Sequence, residues 1–147
     1  MIEYNIIRTQ QEINKQEKET FISFLYDHLG QYGDTRPAIT NAVDYALSTA
    51  EGKGGFLLTA WKEGKRVGEV VVNDTGMEGY IPEHALVYIA VKSEMRGHGI
   101  GTALMKKTLE ICEGNVKLHV EYDNPAKRLY ERVGFTSKYA EMRYQQE

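Results

Sequence analysis

The stretch from Ala85 to Gly101 constrains this chain more than any other. Ala85, Leu86, Val87, Tyr88, Ile89, Ala90 and Val91 form an apolar run too short for a typical helix and rich in β-formers, the pattern of a strand covered on both faces. Lys92, Ser93, Glu94 and Met95 leave the strand. Arg96, Gly97, His98, Gly99, Ile100 and Gly101 follow, and Thr102, Ala103, Leu104 and Met105 continue as a helix. A helix start carries amide hydrogens without intrahelical partners and the positive end of the dipole, so an anion is stabilised there if the backbone can come close. Glycines permit that approach, and Arg96 adds a cation suited to phosphate oxygens.

Spacing decides which anion-binding pattern this is. From Gly97 and Gly99, a dinucleotide fingerprint G-x-G-x-x-G needs a third glycine where Thr102 stands. No start at Gly97, Gly99 or Gly101 supplies the second glycine and lysine of a P-loop. What remains is R-x-x-G-x-G, filled by Arg96, Gly99 and Gly101.

Around this stretch the chain reads as alternating strands and helices. Ile2, Tyr4 and Ile6 alternate with polar residues as a half-exposed strand. Phe21, Phe24, Leu25 and His28 share one helical face; Gly30 to Arg36 break that helix, and Pro37 begins another striped by Ile39, Val43 and Leu47. Phe56 to Trp61 and Arg66 to Asn73 form a hairpin, with Glu69 the one acid inside its second strand. Asp74 to His84 is a flexible connection. Val116, Leu118, Val120 and Tyr122 alternate as a strand, Ala126, Leu129, Tyr130 and Val133 mark a helix, and Lys138 to Tyr144 reads as a last strand.

The balance of 18 basic against 21 acidic side chains, net −3, argues against nucleic acid as a partner and mildly favours cationic substrates. The 147 residues fit one domain, 1–147, without repeats. Cys112, the single cysteine, reads as a small apolar residue near the core. No His or Cys pair has metal-ligand spacing, so no metal is expected. With neither a signal-peptide core nor a membrane-length apolar run, a cytoplasmic protein off the membrane is the default.

A second pattern lies downstream of the glycine turn. Asn124, Pro125, Ala126, then Leu129, Tyr130, Glu131, and finally Gly134 and Phe135 resemble N-x-x-A-x-x-L-Y-x-x-x-G-F, the second signature of the GNAT family (Gcn5-related N-acetyltransferases). R-x-x-G-x-G resembles that family's acetyl-CoA pyrophosphate loop, and the two occur in the family's order. One departure is local: counting back from Leu129, the family's asparagine falls on Asp123, with Asn124 one place later. Either could stand beside the pantetheine arm.

The resemblance implies an α/β (α+β) fold: a mixed, mostly antiparallel twisted sheet of about seven strands with flanking helices, splayed between the fourth and fifth strands. Acetyl-CoA would enter the split. Its pantetheine would pair like a strand with Ile89, Ala90 and Val91, and its pyrophosphate would rest on amides of Arg96, Gly97, His98, Gly99, Ile100, Gly101 and Thr102.

An alkyl amine with a pKa of about 10.4 must lose a proton before it attacks a thioester, and a leaving thiolate gains from an acid. Periodicity alone makes Tyr130 a core tyrosine; the resemblance makes it the general acid, against the coenzyme sulfur. For the base, Glu83 ranks first, with His84 and Glu69 as alternatives and a water relay open to each. Tyr32 and Asp34 would contact the acceptor ammonium, with Tyr26 and Tyr80 as further aromatic candidates. The implied activity is acetyl transfer from acetyl-CoA to a primary amine, small or on a protein or peptide. The other reading is a non-catalytic acyl-CoA-binding regulator or sensor. The acceptor, the acyl chain and the oligomeric state, a homodimer included, stay open.

Overall fold

The computed structural model describes residues 1–146. Five strands form one sheet in sequence order: β1 (Ile2–Ile7), β2 (Gly55–Lys62), β3 (Lys65–Asp74), β4 (His84–Val91) and β5 (Val116–Leu118). The first four pair antiparallel and β5 joins β4 in parallel. At the β2–β3 hairpin Glu63 and Gly64 take φ of 52° and 75°, the twist a two-residue turn requires.

Both sheet faces are covered, which is why β3 and β4 read as nearly continuous apolar runs. On one face lie α1 (Lys15–His28) and α2 (Arg36–Ala46). Asn14 caps α1 by accepting the Glu17 amide at 2.8 Å, and Thr35 caps α2 with Pro37 in its first turn. Phe21, Ile22, Phe24 and Leu25 of α1 and Ile39, Val43 and Ala46 of α2 pack with Leu57, Val71, Tyr88 and Ala90 of the sheet. Each large apolar side chain so buried contributes roughly 1.5 to 3 kcal/mol. On the other face α3 (Ile100–Ile111) sets Ile100, Leu104 and Met105 against Phe56, Leu58, Val70, Val72 and Leu86. The short α4 (Ala126–Arg132) adds Tyr130 to that cluster.

Two expectations are corrected. Among the described residues the sheet has five strands where about seven were expected, and the residues from Lys138 to Tyr144, one of the strands read from the sequence, form none. Tyr139, Met142 and Tyr144 are at least 83% exposed, so that segment has no covered face to pay for ordering. The fifth strand stops at Leu118 although the alternation runs on to Tyr122, since beyond Leu118 it has no partner strand to pair with. No helix among the described residues is long and apolar enough to cross a membrane.

Gly55 opens β2 with φ 138°, and a Cβ there would stand 2.0 Å from the Val72 carbonyl oxygen. Gly55→Ala is expected to cost about 3 kcal/mol and lower Tm by roughly 10 °C in thermal denaturation. An unchanged Tm would mean that the β2–β3 approach is looser than this geometry.

Candidate functional site

Parallel pairing between β4 and β5 covers His84 with Val116, Ala85 with Lys117 and Leu86 with Leu118, and then ends. From Tyr88 to Val91, β4 keeps its β3 partners and has none on the other side. The divergence coincides with a bulge: Val71 faces Tyr88 while Val72 faces Leu86, so Val87 is the extra residue. A gap between two strands is thus lined on one side by the free backbone edge of Ile89, Ala90 and Val91.

The glycine turn closes one end of this gap. The Lys92 amide bonds the Val67 carbonyl at 2.9 Å, Ser93–Met95 make a 3₁₀ turn, and Gly97 and Gly99 take left-handed φ of 83° and 79°. A Cβ at either glycine would meet nothing within 4 Å, so the space above them is open. Gly99 is the N-cap of α3 and has no side chain to satisfy the helix start. Among the described residues no protein acceptor bonds the amides from Gly97 to Thr102, and the helical ladder begins with Ala103 donating to Gly99 at 3.1 Å. Gly101 serves a different purpose from its neighbours. Its Cβ would press on Leu129 at 3.1 Å and meet Val91 at 3.7 Å, so its bareness lets α3 pack against α4 and β4.

Side chains around the turn tie it to α1. Arg96 donates to the His28 carbonyl at the end of α1, where a cation also complements the dipole. His28 Nδ1 accepts the Ser93 amide at 3.2 Å. The His98 ring donates from Nδ1 toward the Met95 and Arg96 carbonyls, both at 3.1 Å.

The loop between α1 and α2 crosses from one edge of the gap to the other. Tyr88, on the unpaired part of β4, donates to Asp34 Oδ2 at 2.6 Å. Tyr32 donates to the Asp123 carbonyl, beyond the end of β5, at 3.1 Å. Asn124 accepts the Ala126 amide on its side-chain oxygen at 2.9 Å just before α4, and among the described residues its NH₂ group makes no bond. Tyr130 is 9% exposed, its ring edge-on to Phe135 at 6.3 Å. Desolvation pushes its phenol up to about 12, and no protein group bonds its hydroxyl among the described residues.

The expected residues therefore gather in part. Ile89 to Val91 line the gap and the turn from Arg96 to Thr102 follows the end of β4; Asp34 is tied to β4 by Tyr88 and Tyr32 to Asp123 beyond β5, while Tyr130 is buried in the α3-side cluster and Asn124 stands just before α4. Glu83 and His84 lie at the other, paired end of β4. Glu83 Oε1 accepts the Asn115 amide at 2.7 Å, and that bond first among several holds its carboxyl below the usual range, the opposite of what a base near neutrality needs. His84 is spoken for on both ring nitrogens, by Asp74 at 2.8 Å and the Glu113 carbonyl at 2.6 Å. His84 lines a cavity of about 260 Å³ together with Arg8, Phe56, Asp74 and Cys112.

Glu69 pairs across the sheet with Ala90, on the α1–α2 face by strand alternation. It is fully buried; Arg66 holds Oε2 at 2.5 Å while Oε1 has no partner, and Arg66 in turn stacks on Trp61 at 4.8 Å. Tyr80 is 81% exposed, and Tyr26 is exposed beneath the Arg36 guanidinium at 5.6 Å. Sequence reasoning missed Tyr88 and the bulge. A tyrosine inside an apolar strand looks like packing, and its one available signal was a polar tip on an otherwise dry run.

Comparison with known proteins adds to this geometry. The profile of the acetyltransferase (GNAT) family matches residues 13–135. No curated protein sequence matches the chain. Among solved structures, an aminoglycoside N-acetyltransferase in complex with CoA is 15% identical, with 99% of this chain and 96% of that one covered and a TM-score of 0.67. A GNAT family acetyltransferase of Staphylococcus aureus is 20% identical, with 99% and 98% covered and a TM-score of 0.65. A transcriptional regulator of Bacillus halodurans C-125 is 17% identical, with 97% and 99% covered and a TM-score of 0.65. At these identities the likeness is one of fold.

Burial pushes the Glu69 carboxyl well above its ordinary 4.5, against the lowering effect of Arg66. Between 4.5 and the raised value the native chain binds more protons here than the unfolded chain, so this group subtracts stability as pH rises. Glu69→Gln lacks that penalty. In urea titrations from about pH 5 to pH 8 its stability relative to wild type is expected to rise steadily, and a constant difference would place the carboxyl in contact with water.

Proposed function

Because the chain belongs to the GNAT acetyltransferase family, we propose that it is an N-acetyltransferase that moves an acetyl group from acetyl-CoA to a primary amine by direct attack. The observation that carries this reading is the run of unpartnered amides from Gly97 to Thr102 at the closed end of a gap between strands. Had a side chain capped α3, a pyrophosphate would have to displace it. Here the amides have no protein acceptor among the described residues, and open space beside the left-handed Gly97 and Gly99 lets a ligand approach the backbone.

The coenzyme fits the rest of the gap in chemical kind. Backbone groups of Ile89 and Val91 offer an extended arm the strand partner that β5 withdraws. Arg96 stands beside the turn and can exchange the His28 carbonyl for a phosphate, a charge-assisted bond for a neutral acceptor. The NH₂ of Asn124 is free to donate to an amide of the arm, whereas Asp123 contributes its carbonyl to the loop. When bound, acetyl-CoA supplies an acyl carbon on a thiolate leaving group.

Tyr130 is suited to the general-acid role. Its phenol, held up near 12, keeps its proton through the physiological range and delivers it from Oη to the departing sulfur. Glu83 is a weak choice of base because of where it lies and because its carboxyl is held low. Water reaching the gap takes the acceptor's proton in this reading, since Glu69 is fully buried and held by Arg66.

The distance of Glu83 and His84 from the gap also favours a second reading, a non-catalytic acyl-CoA-binding module. The regulator of like fold from Bacillus halodurans C-125 keeps that alternative in play.

Calorimetric titration with acetyl-CoA is expected to give binding in wild type and at least tenfold weaker binding in Gly97→Asp, which adds a side chain and a negative charge to the turn. Absence of binding in wild type would remove both readings. Thiol release from acetyl-CoA over a panel of primary amines separates the two: turnover is expected, with Tyr130→Phe slower by roughly 10²-fold. An unchanged Tyr130→Phe rate across pH would strip that residue of its role.

A further inference from the structure

One residue at the end of α1 holds both ends of the short turn that leads into the glycines. The His28 carbonyl accepts the Arg96 guanidinium. Its ring nitrogen Nδ1 accepts the Ser93 amide at 3.2 Å, with the Ser93 hydroxyl 3.1 Å from the same atom. An amide can only donate, so Nδ1 carries the lone pair and the ring proton sits on Nε2. The ring is partly buried and lies against Phe24, with centroids 4.5 Å apart.

The turn lacks such an acceptor of its own. Ser93–Met95 is a 3₁₀ turn whose N-cap, Lys92, provides no side-chain cap, so the leading Ser93 amide has no partner within its element. The sheet holds the entry through the Lys92 amide on the Val67 carbonyl, and Met95 packs into the α3-side cluster. Inside the turn, Met95 bonds the Lys92 carbonyl at 2.8 Å and Arg96 bonds the Ser93 carbonyl at a long 3.4 Å. Gly97 follows at once, so the way the turn sits decides how the open amides face. Arg96 is a temporary anchor, because a phosphate would draw it off the neutral His28 carbonyl. The bond from Ser93 to Nδ1 is then the one hydrogen bond, among the described residues, by which His28 still holds the turn.

We propose that His28 is a positioning residue for the coenzyme: by holding the Ser93 amide on Nδ1, it sets the turn from which Arg96 and the amides of Gly97 to Thr102 meet the pyrophosphate. This rests on the coenzyme reading of the same turn, and it makes the end of α1 part of the support of the cradle.

The test compares two variants of the full chain that keep different parts of the side chain. His28→Phe keeps a ring against Phe24 and loses the acceptor; His28→Asn keeps an acceptor close to the place of Nδ1 and loses the ring. In calorimetric titration with CoA, His28→Phe binds about fivefold more weakly than wild type with Tm little changed, and His28→Asn restores most of that affinity although its Tm falls. A role in packing alone gives the reverse order. Ser93→Pro deletes the amide at the first position of the turn, where proline is tolerated, and in that background His28→Phe costs no further affinity. Equal CoA affinity in wild type and His28→Phe, or an additive loss in the double variant, overturns the proposal. Absence of CoA binding in wild type overturns the coenzyme reading instead, and amide hydrogen exchange of the free protein then decides the part of His28. The Met95 and Arg96 amides exchange faster in His28→Phe and not in His28→Asn, and equal exchange in all three proteins overturns it.

Discussion

The early end of the β4–β5 pairing is the constraint on which the other features of this molecule depend. Only three residue pairs join the strands, and the bulge at Val87 turns β4 away as soon as they end. Five residues of β4 keep a free hydrogen-bonding edge inside the protein, where such an edge is costly unless something completes it. The glycine turn, the start of α3 and the α1–α2 loop all converge on that opening. Had β5 continued along its own alternating pattern to Tyr122, the edge would have been satisfied by the chain and no room would remain.

The two halves of the glycine turn show how one residue type answers two needs. Gly97 and Gly99 supply backbone angles other residues resist, and open space surrounds them. Gly101 has no left-handed φ, and a Cβ there would crowd the Leu129 side chain at 3.1 Å. A motif that looks uniform in sequence is therefore part backbone conformation and part helix packing.

Much of this was legible beforehand, and the reasons for the rest are physical. The buried strand from Ala85 to Val91, the helix start after the turn and the helix carrying Leu129 and Tyr130 follow from strong local signals of length, glycine spacing and period. The strand expected after Lys138 failed because alternation shows only that a segment could bury one face, not that a partner exists to cover it. Glu83 is the residue before the central strand, but proximity in sequence to a strand does not say which end of it pairs with β5 and which opens into the gap. Tyr88 could not be singled out, since its role comes from a residue 54 positions away in a loop whose path sequence does not disclose.

The bond from Tyr32 to the Asp123 carbonyl and that from Tyr88 to Asp34 make the loop a bridge between two strands that otherwise separate. A ligand that spreads the strands must strain or break the bridge, and one that settles on the loop must hold the strands at a preferred width. Occupancy on one side is then linked to occupancy on the other. Thermodynamic reciprocity requires the factor to be the same in both directions, so any order of binding would be a property of this span, not of either pocket alone.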